Sequence, residues 1–404
     1  MGKMARQVLS NATILTDDDL EVVRGHLVIE DGLVKEISDG SPEGRATDLK
    51  GGFIIPPFIN FHTHVVDSVA KELYVSKTQS QVVGPGGVKL RMLGSSSTKM
   101  MVEATQNTLQ DMIRTGTLAH CDFREGGVQG VELLRKISRP PLISKILGRF
   151  SSFSELSGVL KKADGVGLPR MDAFPQAQMR RVSEATRKAK KIFGIHVAET
   201  SHERAAFIRE FGKSEIDQAI DLNCSFVVHA THAEKEELLK LKEKKIPVVF
   251  CPRSNSLLGV GVPPIDLALE VGLDFFFGTD NAMLCQPDMF EEISFAWKCL
   301  RRVDTKSGPE EARKMLIAAT TKPLGLFRPP WGPIAEGNKA TFMVLARGHN
   351  LMHLSEVHAG LLNRARADNI RSIYLNGNNY KLRSQRNFHK VQMNFACRMR
   401  EHES

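Results

Sequence analysis

The chain has 404 residues, 42% of them apolar and 25% charged, with a formal net charge of +9. That length exceeds one small domain and accommodates a barrel of roughly 250 residues with a smaller partner, and the composition is that of a folded globular chain. There is no apolar run of roughly 18 residues, and the opening MGKMARQVLSNATILTDDD lacks a signal-peptide core with a small-residue cleavage site, so a cytoplasmic, non-membrane protein is expected.

The six cysteines, Cys121, Cys224, Cys251, Cys285, Cys299 and Cys397, are scattered without a CxxC pair. They read as reduced, mostly buried thiols. Much of the excess positive charge falls late, in RARADNIRSIYLNGNNYKLRSQRNFHKVQMNFACRMR. That stretch matches no nucleic-acid motif and reads as a solvated tail, so no nucleic-acid partner is expected.

In chain order, residues 1 to 53 read as short strands and turns: QVLSNATILT, then GHLVIEDGLVKEISDG, with Asp31 and Gly32 marking a hairpin. The same texture returns in KATFMVLA and IRSIYLNGNNYKL, so segments 1–53 and 332–404 are expected to form one small β domain. Between them, over 54–331, apolar β-rich runs alternate with helical stretches, the pattern of repeated β-α units and a parallel sheet. Eight such runs can be counted: FIIPPFINF (53–61), GTLAHCDF (116–123), PLISKILGRF (141–150), DGVGL (164–168), IFGIHVA (192–198), SFVVHA (225–230), IPVVFCP (246–252) and LDFFFGTD (273–280). Helical stretches such as STKMMVEATQNTLQDMIRT, ERAAFIREFG, EKEELLKLKEKK and DMFEEISFAWKCLRR fit around them. Eight strands over this length predict a (β/α)8 TIM barrel, in which reacting groups sit at the C-terminal strand ends. The connection 65–97 lacks clear periodicity and is long for a βα loop. It reads either as a surface excursion or as a lid over the barrel mouth.

The first run ends in FINFHTH. Alternation along a strand sends His62 and His64 to the same side, where both rings reach one point, while Thr63 turns away and spaces them. A metal suits that geometry, and so would solvent or ordinary hydrogen bonding. The other strand ends decide between these, because His196 ends the fifth run, His229 the sixth and Asp280 the eighth. Imidazoles and a carboxylate converging on one rim suit Zn²⁺ or Fe²⁺ with an open coordination position.

These pieces, FINFHTH, HVAET, VVHATH, CPRSNSLLGVGVPP, GTDN and GPIAEGNKATFMVL, together resemble the amidohydrolase superfamily, in its cytosine-deaminase-like, guanine-deaminase-like and triazine-hydrolase-like branch, over roughly residues 5 to 380. The resemblance implies a barrel with a composite β-sandwich built from both termini and one catalytic divalent ion. Carried over by position, His62, His64, His196 and Asp280 are the implied metal ligands. His229 is the implied contact to water or substrate, and Glu199 the implied proton-shuttling acid. His232, three residues beyond His229, is expected to have left the site. Two departures are Pro56-Pro57, where the family usually shows Pro-Gly, and ATFMVL in the closing motif; neither touches the ligands.

The fourth run carries no lysine at its end to bridge two metals, and Lys145 lies in the third run. With the HxxE element, this favours the one-metal deaminating branch: hydroxide adds to an amidine-like ring carbon and ammonia leaves, with Glu199 as acid and Asp280 accepting the proton of water. The expected substrate is a small amino-substituted heterocycle of purine, pyrimidine or pterin type. Arg124, Glu125 and Arg149 stand where substrate contacts would be built, and Asn255 and Asn281 where the site could be oriented. A ring-opening amidohydrolase or a dechlorinase using the same centre is the alternative, and a silent binding barrel a more remote one, since no ligand is missing. A homo-oligomer is compatible with the sequence.

Overall fold

The computed structural model describes residues 6–380. The basic segment beyond Tyr380, and Cys397 with it, lies outside the described residues. Strands β1 (Gln7–Thr16), β2 (Glu21–Glu30), β3 (Leu33–Asp39) and β4 (Thr47–Ile55) open the chain. Nine parallel segments follow: β5 (Phe58–His64), β6 (Thr117–Arg124), β7 (Ile143–Gly148), β8 (Gly165–Leu168), β9 (Ile192–Val197), β10 (Phe226–His229), β11 (Val248–Phe250), β12 (Phe275–Phe277) and β13 (Asp280–Asn281). The closing strands are β14 (Phe342–Leu345), β15 (Ile370–Leu375) and β16 (Asn378–Tyr380).

Strands β1–β4 and β14–β16 share one seven-stranded sheet of order β16-β15-β14-β4-β1-β2-β3. This sheet curls over itself: Leu33 bridges Lys339, the Ala340 N–H donates to the Gly32 carbonyl at 2.9 Å, and Gln7 Nε2 donates to the Gly377 carbonyl at 2.9 Å. Its inner face buries Leu9, Ile14, Leu27, Ile54, Phe342 and Val344. The alternate residues Phe53, Ile55, Met343 and Leu345 join the core that continues into the barrel. Strand alternation in FII and FMVL thus glues the sheet to the barrel with one face and closes the curl with the other. Among the described residues the terminal segments thus form one curled seven-stranded sheet.

The second sheet has the order β12-β11-β10-β9-β8-β7-β6-β5-β13. Its two ends are halves of one strand, interrupted only at Gly278 and Thr279. Phe277 pairs with Phe250 on one side and Asp280 with Thr63 on the other, so this broken strand brings the first and seventh barrel strands together in a TIM-barrel-like α/β core. Asn60 locks the joint: its Oδ1 accepts the Thr279 N–H at 3.0 Å and its Nδ2 donates to Thr279 Oγ1 at 2.7 Å. The interior is filled by Phe61, Phe123, Phe226, Phe276 and Phe327 with aliphatic neighbours.

Six of the eight runs fall where expected. The first differs because Pro56-Pro57 divides it: a proline cannot donate to a ladder, so Phe53–Ile55 stays with the terminal sheet and the barrel begins at Phe58. The segment 65–97 differs too. It holds a short 3-10 turn (Val65–Ala70) and two helices, α1 (Gln79–Val83) and α2 (Val88–Ser95), before α3 (Thr98–Arg114). A Thr78–Gln81 capping box starts α1. Helices this short show too few turns for a period to register in the sequence.

Candidate active site

Strand β5 contains a bulge next to the histidines. Asn60 pairs with His120 and Thr63 with Asp122, so three steps on β5 face two on β6. The extra residue lets consecutive side chains both point inward. The Phe61 ring lies 4.6 Å from that of Phe276 in the floor, and the His62 ring lies 4.5 Å from Phe123 and 4.9 Å from His196 at the rim. Thr63 turns outward as expected, but it is more than a spacer. Its buried hydroxyl lies 3.0 Å from His120 Nδ1 and 3.0 Å from Asp122 Oδ2, and Asp122 in turn accepts the Val65 N–H at 2.8 Å.

The structure brings His62, His64, His196, His229, Asp280 and Glu199 together. His62 Nε2 is 3.2 Å from Asp280 Oδ1 and 3.2 Å from His196 Nε2, and His64 Nε2 is 3.6 Å from Asp280 Oδ1. Four N and O donors placed tetrahedrally at about 2.0–2.2 Å from one ion stand roughly 3.3–3.6 Å apart, so the spacing fits a single divalent metal. His62, His64 and His196, and separately His62, His229 and Asp280, each offer ligand atoms within 4.8 Å of one another. Outer contacts orient these rings. His196 Nδ1 faces the Leu168 carbonyl at 2.8 Å, which leaves Nε2 as its free lone pair, and Ser254 donates to Asp280 Oδ2. Burial holds His62 down to about 3 and lowers His196 as well, so both rings are neutral, the form that binds metals. Burial works to raise Asp280, but its hydrogen bond to His62 and the surrounding imidazoles hold it well below the usual carboxylate range.

Glu199 approaches from the loop after β9, with Oε2 3.9 Å from His229 Nε2. Burial raises its pKa and His229 opposes the shift. His229 Nδ1 meets Asn255 Oδ1 at 2.9 Å, and Asn255 Nδ2 donates to Thr231 Oγ1 at 2.7 Å, so the amide is fixed and Nδ1 carries a hydrogen. Its Nε2 faces Glu199 and the cluster.

The backbone is bent to aim these groups. Ala198, His229, Ala230 and Asp280 all have left-handed φ, at 45°, 69°, 45° and 57°. Each such residue costs about 1–3 kcal/mol and persists because neighbours over-determine it. At Ala198 the neighbour is Glu215, whose Oε2 accepts the Ala198 N–H at 2.8 Å from the helix Glu215–Asp221.

The remaining sequence candidates divide. Asn255 orients His229 as described. Asn281 donates to Asp67 Oδ2 at 2.8 Å and accepts the Met283 N–H at 2.9 Å, so both ends of its amide are used within the wall. Glu125 is occupied by protein: Oε1 lies 3.2 Å from His64 Nδ1, 2.6 Å from Lys89 Nζ and 3.2 Å from Arg149, and Oε2 lies 3.2 Å from Arg124. Arg124 is buried and Arg149 partly exposed beside it. His232 has left the site and faces the Val260 carbonyl at 2.7 Å.

Segment 65–97 covers the mouth. Val82 of α1 is fully buried with Leu258, Val260, Met283 and Leu284, the Gln79 side chain lies close enough to Glu199 to act against its raised pKa, and Lys89 of α2 reaches Glu125. A cavity of about 460 Å³ lies within this cover, among Lys77, Gln81, Gly87 and Arg91, and none of the clustered residues lines it. The sequence reading missed Lys89, Asp67, Glu215 and Gln79. Asp67, Gln79 and Lys89 all fall within 65–97, the segment already read as a surface excursion or a lid, whereas nothing in the sequence marked Glu215.

Buried imidazoles, a carboxylate and an acid at the C-terminal mouth of an α/β barrel define a metal-dependent hydrolase. The profile of the amidohydrolase family matches residues 53–379, and the chain belongs to that family. A putative aminohydrolase of Methanothermobacter thermautotrophicus is 35% identical over 386 residues, covering 91% of this chain and 97% of the relative. A 5-methylthioadenosine/S-adenosylhomocysteine deaminase of Pyrococcus furiosus is 24% identical over 400 residues, covering 92% and 94%. Among solved structures, an adenosine deaminase of Xanthomonas campestris with bound zinc is similar with a TM-score of 0.80 at 15% identity, covering 98% of each chain, a likeness of fold. No described helix is long and apolar enough to cross a membrane.

Proposed function

We propose that the protein hydrolytically deaminates an amino-substituted heterocycle, with one divalent ion, Zn²⁺ in the first instance, held by His62, His64, His196 and Asp280. The observation that carries this reading is Glu199, a partly buried acid with a raised pKa, beside donors spaced for one ion. When bound, the ion supplies Lewis-acid activation of water near neutrality. Asp280, held ionised, accepts the proton of the attacking water, and His229 Nε2 accepts a hydrogen bond that orients it. Glu199 delivers a proton to the ring nitrogen next to the attacked carbon. After a second proton transfer to the amine, ammonia leaves and an oxygen takes its place. The cover excludes bulk water, which strengthens each of these contacts.

The deaminase from Pyrococcus makes an aminopurine nucleoside the first candidate substrate. We read the division 1–53 with 332–404 against 54–331 as terminal and catalytic domains, and the curled terminal sheet as the composite β-sandwich. We place the protein in the cytoplasm, acting on a small molecule without nucleic acid. The test is ammonia release by the Zn²⁺-loaded protein from aminopurines, aminopyrimidines and aminopterins, with mass spectrometry of the products. Amine-for-oxygen exchange with an intact ring is expected; ring opening or dehalogenation without any ammonia release would refute it.

A further inference from the structure

The cover delivers a charged group to the centre of the network behind His64. Lys89 is 3% exposed, on a helix whose neighbouring Leu90 is 40% exposed, so the chain buries the ammonium and leaves a leucine in solvent. A buried charge persists only where it is paired. Lys89 Nζ lies 2.7 Å from Asp67 Oδ2 and 2.6 Å from Glu125 Oε1. Each partner leads to a ligand-bearing strand. Glu125 Oε1 is 3.2 Å from His64 Nδ1, and Asp67 Oδ2 accepts from Asn281, the residue after Asp280. His64 Nδ1 lies 3.2 Å from Glu125 Oε1 and also 3.2 Å from Lys89 Nζ. For His64 to offer Nε2 to an ion, its Nδ1 must carry the hydrogen; Glu125 can accept it, whereas the ammonium, a donor only, cannot, so Glu125 is the group that fixes that tautomer.

We propose that Lys89 is a positioning residue for the metal centre: its ammonium, carried by the segment over the barrel mouth, clamps Glu125 against His64 and Asp67 against Asn281. This rests on the metal reading above. Without the cation, two buried carboxylates face each other beside the His64 ring, and the acceptor that sets its tautomer is free to turn toward Arg124 and Arg149. Covering the site and aligning the His64 ligand are thereby one event.

The experiment compares Zn²⁺ release to a chelator from the loaded full-length wild type and from Lys89→Met, Lys89→Arg and Val82→Ala. Methionine keeps the stem's bulk without charge, arginine keeps the charge, and Val82→Ala loosens the cover's apolar packing while leaving the clamp in place. Release from Lys89→Met is expected to be about 10- to 100-fold faster than from wild type, the range for lost outer-sphere partners. Lys89→Arg should recover at least half of that change on a logarithmic scale, and Val82→Ala should stay within about twofold of wild type. Release from Lys89→Met within about twofold of wild type, or an equal acceleration by Val82→Ala, overturns the proposal. Where Lys89→Met does not fold, the Lys89→Arg and Val82→Ala releases decide it on the same terms, with arginine expected to lie between wild type and about tenfold. A wild type that takes up no Zn²⁺ would instead overturn the metal reading itself.

Discussion

Glu215 offers a sharp test of how the site is aimed. Its carboxyl is 6% exposed and holds the N–H of left-handed Ala198, the residue before Glu199. Burial moves its pKa from 4.5 up to about 7. Between those values the folded protein keeps the proton while the unfolded chain has lost it. The unfolded state then binds fewer protons, and stability falls as pH rises. At about 1.4 kcal/mol per pH unit, this one group costs roughly 2–3 kcal/mol between pH of about 5 and about 8. Glu215→Gln keeps an oxygen acceptor for Ala198 and cannot ionise, so it should remove that slope. The exchange of hydroxyl for amide carries its own cost of about 1 kcal/mol, nearly independent of pH, so the slope is the readout. Urea unfolding of both proteins at several pH values should show the stability of Glu215→Gln gaining on wild type by about 2–3 kcal/mol across that window. Parallel pH profiles for the two proteins would refute the assignment of a buried, proton-holding Glu215.

Three further outcomes follow from the geometry. Glu199→Gln should lower kcat by about 10²- to 10⁴-fold with Zn²⁺ content unchanged, measured by ammonia release and metal analysis; retention of full activity would remove Glu199 from the proton path. Asn255→Leu deprives His229 Nδ1 of its acceptor, and a net loss of about 1–1.5 kcal/mol in holding that tautomer predicts a fall in kcat of roughly tenfold with a smaller change in KM. In Gly278→Ala the added Cβ would lie 2.6 Å from His62 Cβ and 2.8 Å from the His62 nitrogen, so one strand must shift. A loss of about 1–3 kcal/mol in stability is expected, with Zn²⁺ occupancy below that of wild type; an unchanged melting temperature with full occupancy would contradict the close approach.

The barrel and its rim were legible because they rest on signals one element long. An apolar run ending in His, Glu or Asp marks a strand end whatever surrounds it, and His62, His64, His196, His229 and Asp280 each carried that mark. What escaped depends on pairs far apart in sequence. Lys89 became informative only when α2 set it against Asp67 and Glu125, and Glu215 only when its helix reached Ala198. Glu125 illustrates the same limit from the other side, since its place after β6 suggested a substrate contact and its occupancy by Lys89, His64 and two arginines could not be read from neighbours in the chain. The bulge in β5 was hidden because FINFHTH obeys alternation on either side of it and breaks it only between Phe61 and His62. The Pro56-Pro57 division was present in the sequence, but an apolar run across it looked continuous.

The broken eighth strand has a consequence for how the protein holds together. The residue whose backbone pairs across the joint to Thr63 is Asp280, and the side chain of Asp280 is the carboxylate among the proposed ligands. With an ion held as proposed, ring closure and ion affinity would share one equilibrium. Whatever opens the joint lowers affinity for the ion, and each increment of ion binding protects the amides of the joint by the same free energy. In a living cell, the supply of the ion would set the lifetime of the fold at this seam as well as the number of active molecules.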